Sequence, residues 1–198
     1  MEAPYTHQPV LLTEVVDLLA VVPEGIYVDA TYGRGGHSRA IAQRLGRQGK
    51  LLVIDKDPEA VAAAQAAFGA DDRVAVEHGS FAEIGRIVEH HGFLGRVNGL
   101  LLDLGISSAQ LDDARRGFSF QHAGPLDMRM DRGAGMTAAQ WLAVADEREI
   151  ADVLFRLGEE RYARRIARAI VAARAQSPVE TTRELAQMSQ SLNRLIEL

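Results

Sequence analysis

The stretch Tyr27-Val28-Asp29-Ala30-Thr31-Tyr32-Gly33-Arg34-Gly35-Gly36-His37 decides how the chain is read. Gly25-Ile26-Tyr27-Val28 leads into it as a short buried strand, and the polar, glycine-bearing run that follows predicts a tight loop. From Gly36 onward Ala40, Ile41 and Leu45 fall at helical spacing. Strand, glycine loop and helix in that order make the first half of a βαβ nucleotide-binding unit. Gly33, Gly35 and Gly36 let the backbone turn sharply and come close to a ligand. Glycines alone fit an ordinary strand-to-helix turn equally well.

Two carboxylates narrow the choice. Asp29 stands just ahead of the glycines, where a dinucleotide would place its pyrophosphate over the helix N-terminus and be repelled. Ser38 also occupies the third glycine position of G-x-G-x-x-G, which disfavours a nicotinamide-dependent dehydrogenase. S-adenosylmethionine carries no phosphate and has a cationic sulfonium and ammonium, so an acidic residue beside the loop suits it. The second carboxylate, Asp55, ends the apolar run Leu51-Leu52-Val53-Ile54 at the distance from the loop expected of a ribose-binding acid.

The rest of the chain repeats this alternation. Asp57-Pro58 predicts an N-cap and first helical residue, followed by an alanine-rich helix to Phe68. Val74-Ala75-Val76 is a third strand, and Ser80 with Glu83 has capping-box spacing. Phe81 fits either under an adenine ring or, more commonly for an aromatic opening a helix, in the core. Val97 to Leu104 is a fourth strand carrying Asp103 near its end. Strands alternating with helices imply an α/β fold with a parallel sheet, whose ligands sit beyond the carboxyl ends of the strands. Asp29, Asp55 and Asp103 all stand at such ends. Ahead of the first strand, Leu11, Leu12, Val15, Leu18 and Leu19 predict a helix, and His7 reads as a surface residue.

From Asp112 the texture changes. An irregular segment mixes Arg115, Arg116, Phe118, Phe120, Met128, Arg129 and Met130. Helices follow, with starts marked by Thr137 and Gln140, Asp146 and Glu149, and Thr181 and Glu184. One helix, about 159–176, gathers Tyr162, Ile166, Ala169, Ile170 and Ala173 on one arc and Arg161, Arg164, Arg165 and Arg168 on another. That stripe is either a solvated face or a phosphate-binding surface. The division expected is residues 1–111 for cofactor binding and 112–198 for a helical part, which the family resemblance given below implies is an RNA-recognising insert.

Composition bounds the rest. The 198 residues are 47% hydrophobic, enough for a proper core, and the net charge of −5 argues against wholesale nucleic-acid binding without excluding a local basic surface. No cysteine is present, so neither disulfides nor thiolate metal sites arise, and the six histidines show no ligand spacing. No apolar run reaches membrane-spanning length and the N-terminus has no signal-peptide core, which predicts a cytoplasmic protein.

Taken together these motifs resemble bacterial S-adenosylmethionine-dependent methyltransferases that modify N4 of a cytidine in small-subunit (16S) ribosomal RNA, near the decoding centre. The resemblance rests on His7-x-Pro9-Val10-Leu11-Leu12, on Asp29 through Ser38 and on Asp55-Lys56-Asp57-Pro58. It continues through Asp103-Leu104-Gly105-Ile106-Ser107-Ser108-x-Gln110-Leu111-Asp112 and Arg116 to Asp131. It implies a Rossmann-like fold with a helical insert. It also implies that Gly35, Gly36 and His37 border S-adenosyl-L-methionine, that Asp55 takes the ribose, and that Phe81 lies near the adenine. Asp103 and Gln110 complete the pocket, and Asp103 is the candidate proton acceptor. The family's members are longer and finish the sheet with further strands. A sheet of about four strands is therefore expected here, with the Asp103 strand at an uncovered edge prone to self-association. A non-catalytic cofactor- or RNA-binding fragment of that family is the competing reading.

Overall fold

Four parallel strands, β1 (Ile26–Asp29), β2 (Lys50–Asp55), β3 (Val74–His78) and β4 (Gly99–Leu101), lie in the order β3-β2-β1-β4. The computed structural model describes residues 11–194, with side chains as far as 188. The His7-x-Pro9-Val10 motif and the residues beyond 194 lie outside the described residues. Side chains alternate between two apolar layers, as the period of a strand requires. Tyr27, Leu51 and Val53 enter one cluster with Val16, Ile41, Leu45, Ala64 and Phe68 of α1 (Leu12–Leu18), α2 (Gly36–Arg44) and α3 (Pro58–Phe68) and their ends. Val28, Leu52 and Ile54 enter the other with Ile87 and Val88 of α4 (Ile84–His90). The sheet is thus wound on both faces, and the expected Rossmann-like α/β architecture is present.

Strand order reverses at β1. The chain builds β2 and β3 outward on one side, then returns past β1 to lay β4 on the other. In open parallel sheets such a reversal parts the crossover loops and leaves a crevice at the carboxyl ends of the strands.

Several local expectations need correcting. The ladder of β4 covers Gly99–Leu101 rather than Val97 to Leu104. Its last bond runs from the Ala30 N–H to the Leu101 carbonyl at 3.0 Å, beyond which β1 turns into the glycine loop and offers no backbone to pair. Leu102 and Leu104 are accordingly 43% and 64% exposed. In α1 only Val16 is buried, while Leu11 and Leu18 face outward. Ser80 forms no capping box. Its hydroxyl accepts from the Ala82 N–H, a 3-10 turn at Phe81–Glu83 intervenes, and Glu83 pairs with Arg86 instead.

By backbone contacts the chain divides into two units, Met1–Gly105 and Ile106–Leu198. The second consists, among the described residues, of α5 (Ser108–Asp112), α6 (Ala138–Val144), α7 (Glu147–Arg156), α8 (Ala163–Arg174) and α9 (Thr182–Arg194). Its core joins Leu126, Leu142, Ile150, Ile166, Ile170 and Val179. Thr137 with Gln140, Asp146 with Glu149, and Thr181 with Glu184 close reciprocal caps as their spacing predicts. α8 begins at Ala163, later than expected, because Glu159 takes φ +51° and Tyr162 is the non-helical N-cap. Its buried arc is Ala163, Ile166, Ala167 and Ile170, so Ala169 and Ala173 are only partly covered.

The irregular segment is held by a buried arginine. Arg116, 2% exposed, donates through Nη2 to the carbonyls of Met130 at 2.8 Å and Arg129 at 3.2 Å. Its own carbonyl accepts the Met128 N–H, and Met128 is pinned at φ +60°, where a non-glycine side chain is strained. Asp127, buried, takes the Arg129 guanidinium at 2.7 and 2.9 Å.

Candidate functional site

The glycine loop lies at the reversal point and is built from its own backbone. Gly33 and Gly35 take φ +53° and +72°, the left-handed region that glycine occupies without strain. A Cβ on Gly35 would run into the Tyr32 ring, whereas one on Gly33 would meet nothing. The loop is closed on its inner side by Tyr32 and open above Gly33. Gly36 then starts α2 and His37 is buried one residue later.

Asp29, the acid ahead of the glycines, is buried beneath the loop. It is 1% exposed and accepts the Thr31 N–H at 3.1 Å and the Ser38 hydroxyl at 2.5 Å. Burial raises its pKa above the ordinary carboxylate range, against the lowering effect of the Ser38 hydrogen bond. Ser38, noted only as a departure from the third glycine, is the buried partner that makes this carboxylate tolerable. The pair shapes the loop from beneath.

Asp55 closes β2 beside the glycine loop. Its Oδ2 accepts the Gly33 N–H at 2.8 Å and its Oδ1 the Asp57 N–H at 2.8 Å. Each carboxylate oxygen has two lone-pair sites, so each retains capacity for a further donor. A carboxylate fixed through both oxygens, each with capacity left, has the two acceptors that a vicinal diol requires. Phe81, at the end of β3, is 47% exposed and so belongs to the surface rather than the core.

Beyond β4, Asp103 projects a carboxylate that is 61% exposed. Its N–H donates to Thr31 Oγ1 at 2.7 Å, and its Oδ2 lies 3.8 Å from His37 Nδ1. His37 Nε2, buried, has no hydrogen-bond partner among the described residues. The role of Thr31 was invisible in sequence, because nothing distinguishes it from any polar loop residue.

Gln110 belongs to the second unit and does something the sequence reading overlooked. Its Oε1 accepts the Ser107 N–H at 2.9 Å while Ser107 Oγ accepts the Gln110 N–H, a capping box on α5. The spacing was the same one recognised at three other helix starts. Of the arginines, Arg164 and Arg165 stand exposed on α8, Arg161 precedes the helix with its guanidinium 4.9 Å over the Tyr162 ring, and Arg168 lies 3.6 Å from Glu147. They do not form one continuous helical stripe.

The model of the MraW methylase family matches residues 4–194. The chain belongs to the MraW methylase family. Among its relatives, the ribosomal RNA small subunit methyltransferase H of Methylococcus capsulatus is 59% identical over 179 residues, covering 90% of this chain and 60% of that protein. Its namesake in Neisseria meningitidis serogroup B is 56% identical, covering 93% of this chain and 56% of that protein. The chain therefore spans a little over half the length of the curated relatives it matches. Among solved structures, a SAM-dependent O-methyltransferase from Thermotoga maritima overlaps 40% of this chain and 32% of its own at 21% identity, with a TM-score of 0.36. For a member of the MraW methylase family, the set of acceptors described above is chemically apt. Two open acceptors on Asp55, an exposed aromatic face and an exposed carboxylate suit a nucleoside bearing cationic groups.

Proposed function

We propose that this chain binds S-adenosyl-L-methionine across the carboxyl ends of β3, β2, β1 and β4 and serves methyl transfer to N4 of a cytidine in 16S ribosomal RNA. The observation that carries the proposal is the strand order. Phe81, Asp55, the glycine loop and Asp103 follow β3, β2, β1 and β4, which are neighbours in that sequence across the sheet. Asp55 and Asp103 then stand two strand spacings apart, roughly 10 Å. That span lets the adenine lie against Phe81, the ribose on Asp55 and the amino-acid end over Gly35, Gly36 and His37 toward Asp103.

When bound, the cofactor supplies an electrophilic methyl group on a sulfonium. The chain's residues then have separate tasks. Asp55 orients the nucleoside through two fixed acceptors. The loop brings backbone close enough to exclude water along one side. Asp103, exposed beyond β4, is the candidate for accepting the proton that the exocyclic amine releases. Alignment of amine and methyl carries most of the acceleration in such a transfer.

The remaining assignments belong to the same proposal. Arg161, Arg164, Arg165 and Arg168 engage RNA phosphates, and the small ribosomal subunit in the cytoplasm is the substrate. No helix among the described residues is long and apolar enough to cross a membrane. The free edge of β4 is the surface through which copies self-associate.

Calorimetry tests the cofactor assignment. S-adenosylmethionine should bind and NADH should not, and Asp55→Ala should weaken binding by about 1.5–3 kcal/mol, the worth of hydrogen bonds to a charged group. Unchanged affinity in Asp55→Ala removes Asp55 from the site.

A further inference from the structure

His37 is a buried imidazole that packing does not explain. It is 6% exposed, and its Nε2 has no hydrogen-bond partner among the described residues. An unpaired buried nitrogen is unfavourable where a leucine or phenylalanine would fill the same space without penalty. The other ring nitrogen points to an answer, since Nδ1 is a polar atom 3.8 Å from Asp103 Oδ2, a little beyond a hydrogen bond. Thr31 contributes from the neighbouring turn, its Oγ1 accepting the Asp103 N–H at 2.7 Å.

These contacts matter because of where Asp103 sits. The ladder of β4 ends at Leu101, so neither regular pairing nor burial fixes the two residues that follow. Residues Leu102 to Ile106 are all exposed. A carboxylate at the start of such a segment would otherwise sample many directions. Thr31 holds its backbone and His37 steers its side chain, and both come from the glycine-loop region of the chain.

Resting on the cofactor reading above, we propose that His37 and Thr31 are positioning residues that act through Asp103, fixing its carboxylate over the amino-acid end of the bound cofactor. Neither needs to touch the cofactor with its own side chain. The loop that approaches the cofactor and the carboxylate that completes its site thereby form one unit, although they lie far apart in sequence.

A mutant cycle read by calorimetric S-adenosylmethionine affinity tests this. Thr31→Val, which keeps the shape and removes the acceptor, and His37→Leu should each weaken binding about five- to tenfold, the scale of a lost polar contact. Thr31→Ser restores the hydroxyl, and His37→Asn places an amide nitrogen near the position of Nδ1. Both should bind like the wild type. In an Asp103→Ala background, Thr31→Val and His37→Leu should have no further effect on affinity, a pattern that general loss of loop structure cannot produce. Losses of equal size with and without the Asp103 carboxylate overturn the proposal, as do single variants that bind normally. If His37→Leu fails to fold in thermal melts, the Thr31 arm alone decides. A wild-type chain that does not bind S-adenosylmethionine overturns the cofactor reading itself and this inference with it.

Discussion

Asp29 and Asp127 are both buried carboxylates, yet they bias folding in opposite directions with pH. Asp29 lies beneath the glycine loop with a pKa raised by burial, so the folded chain holds that proton more tightly than the unfolded one. Its contribution to stability is complete below the ordinary carboxylate range and is lost as pH rises through the raised value. Asp29→Asn should therefore flatten the decline in melting temperature as pH rises above the ordinary carboxylate range, because the amide can serve the Thr31 N–H and Ser38 without carrying charge. An identical slope in wild type and variant would show that the charge is not what burial penalises. Asp127 is held below the ordinary range, chiefly by its Arg129 hydrogen bonds. Its contribution is present above the ordinary range and disappears as pH falls through the lowered value. Asp127→Asn should destabilise the helical unit at neutral pH, since it removes the charge that holds the Arg129 guanidinium, and should erase that acid-side loss in denaturant titrations. The sequence made Asp29 visible as an acid but not as a buried one. Burial depended on Ser38 turning inward from α2, and no local pattern announces that. The position of Asp55 was legible because it closes an apolar strand, whereas the exposure of Phe81 was not, since an aromatic opening a helical turn is more often core.

Elements reveal a different boundary between what could be read and what could not. Three reciprocal caps were evident from their spacing, because both partners belong to one turn of one helix. The same spacing at Ser80 failed, since a 3-10 turn redirects the Ser80 hydroxyl to Ala82. β4 was overextended in the reading because its leucines continue past the point where β1 stops offering partners. Leucine content registers burial potential, whereas a strand ends where its neighbour does. The segment around Met128 was unreadable for a related reason, since its shape comes from Arg116 and not from turn residues. Met128→Gly should relieve the φ +60° strain and raise stability by about 1 kcal/mol in denaturant unfolding, and a loss instead would mean that the side chain's packing outweighs the strain. Just before α8 and along it, Arg161, Arg165 and Arg168 changed together to glutamine should weaken RNA binding and flatten its dependence on salt, with cofactor affinity unchanged. An unaltered salt slope would return those arginines to the role of a solvated face.

For the whole molecule, the exposed side of the sheet is the feature most open to test. Among the described residues β4 pairs only with β1, and Leu100, Leu102 and Leu104 are 45%, 43% and 64% exposed. An unpaired edge with apolar neighbours invites pairing with another chain. Sedimentation velocity should show concentration-dependent association of the wild type, suppressed when Leu102 and Leu104 are replaced by lysine. A monomer at every concentration would exclude the edge as a contact. The same strand also sets the order of assembly. The bonds that join it to β1 and its loop, Asn98 to Ile26 and Asp103 to Thr31, each close a separation of 72 residues. β1, β2 and β3 are instead joined by successive single-helix crossovers. Contacts that close long chain segments form late and slow folding, so β4 docks onto a platform already built. In native-state hydrogen exchange its amides should open at lower free energy than those of β1 and β2. The half of the crevice that carries Asp103 is then the last part of the sheet to form and the first to come undone.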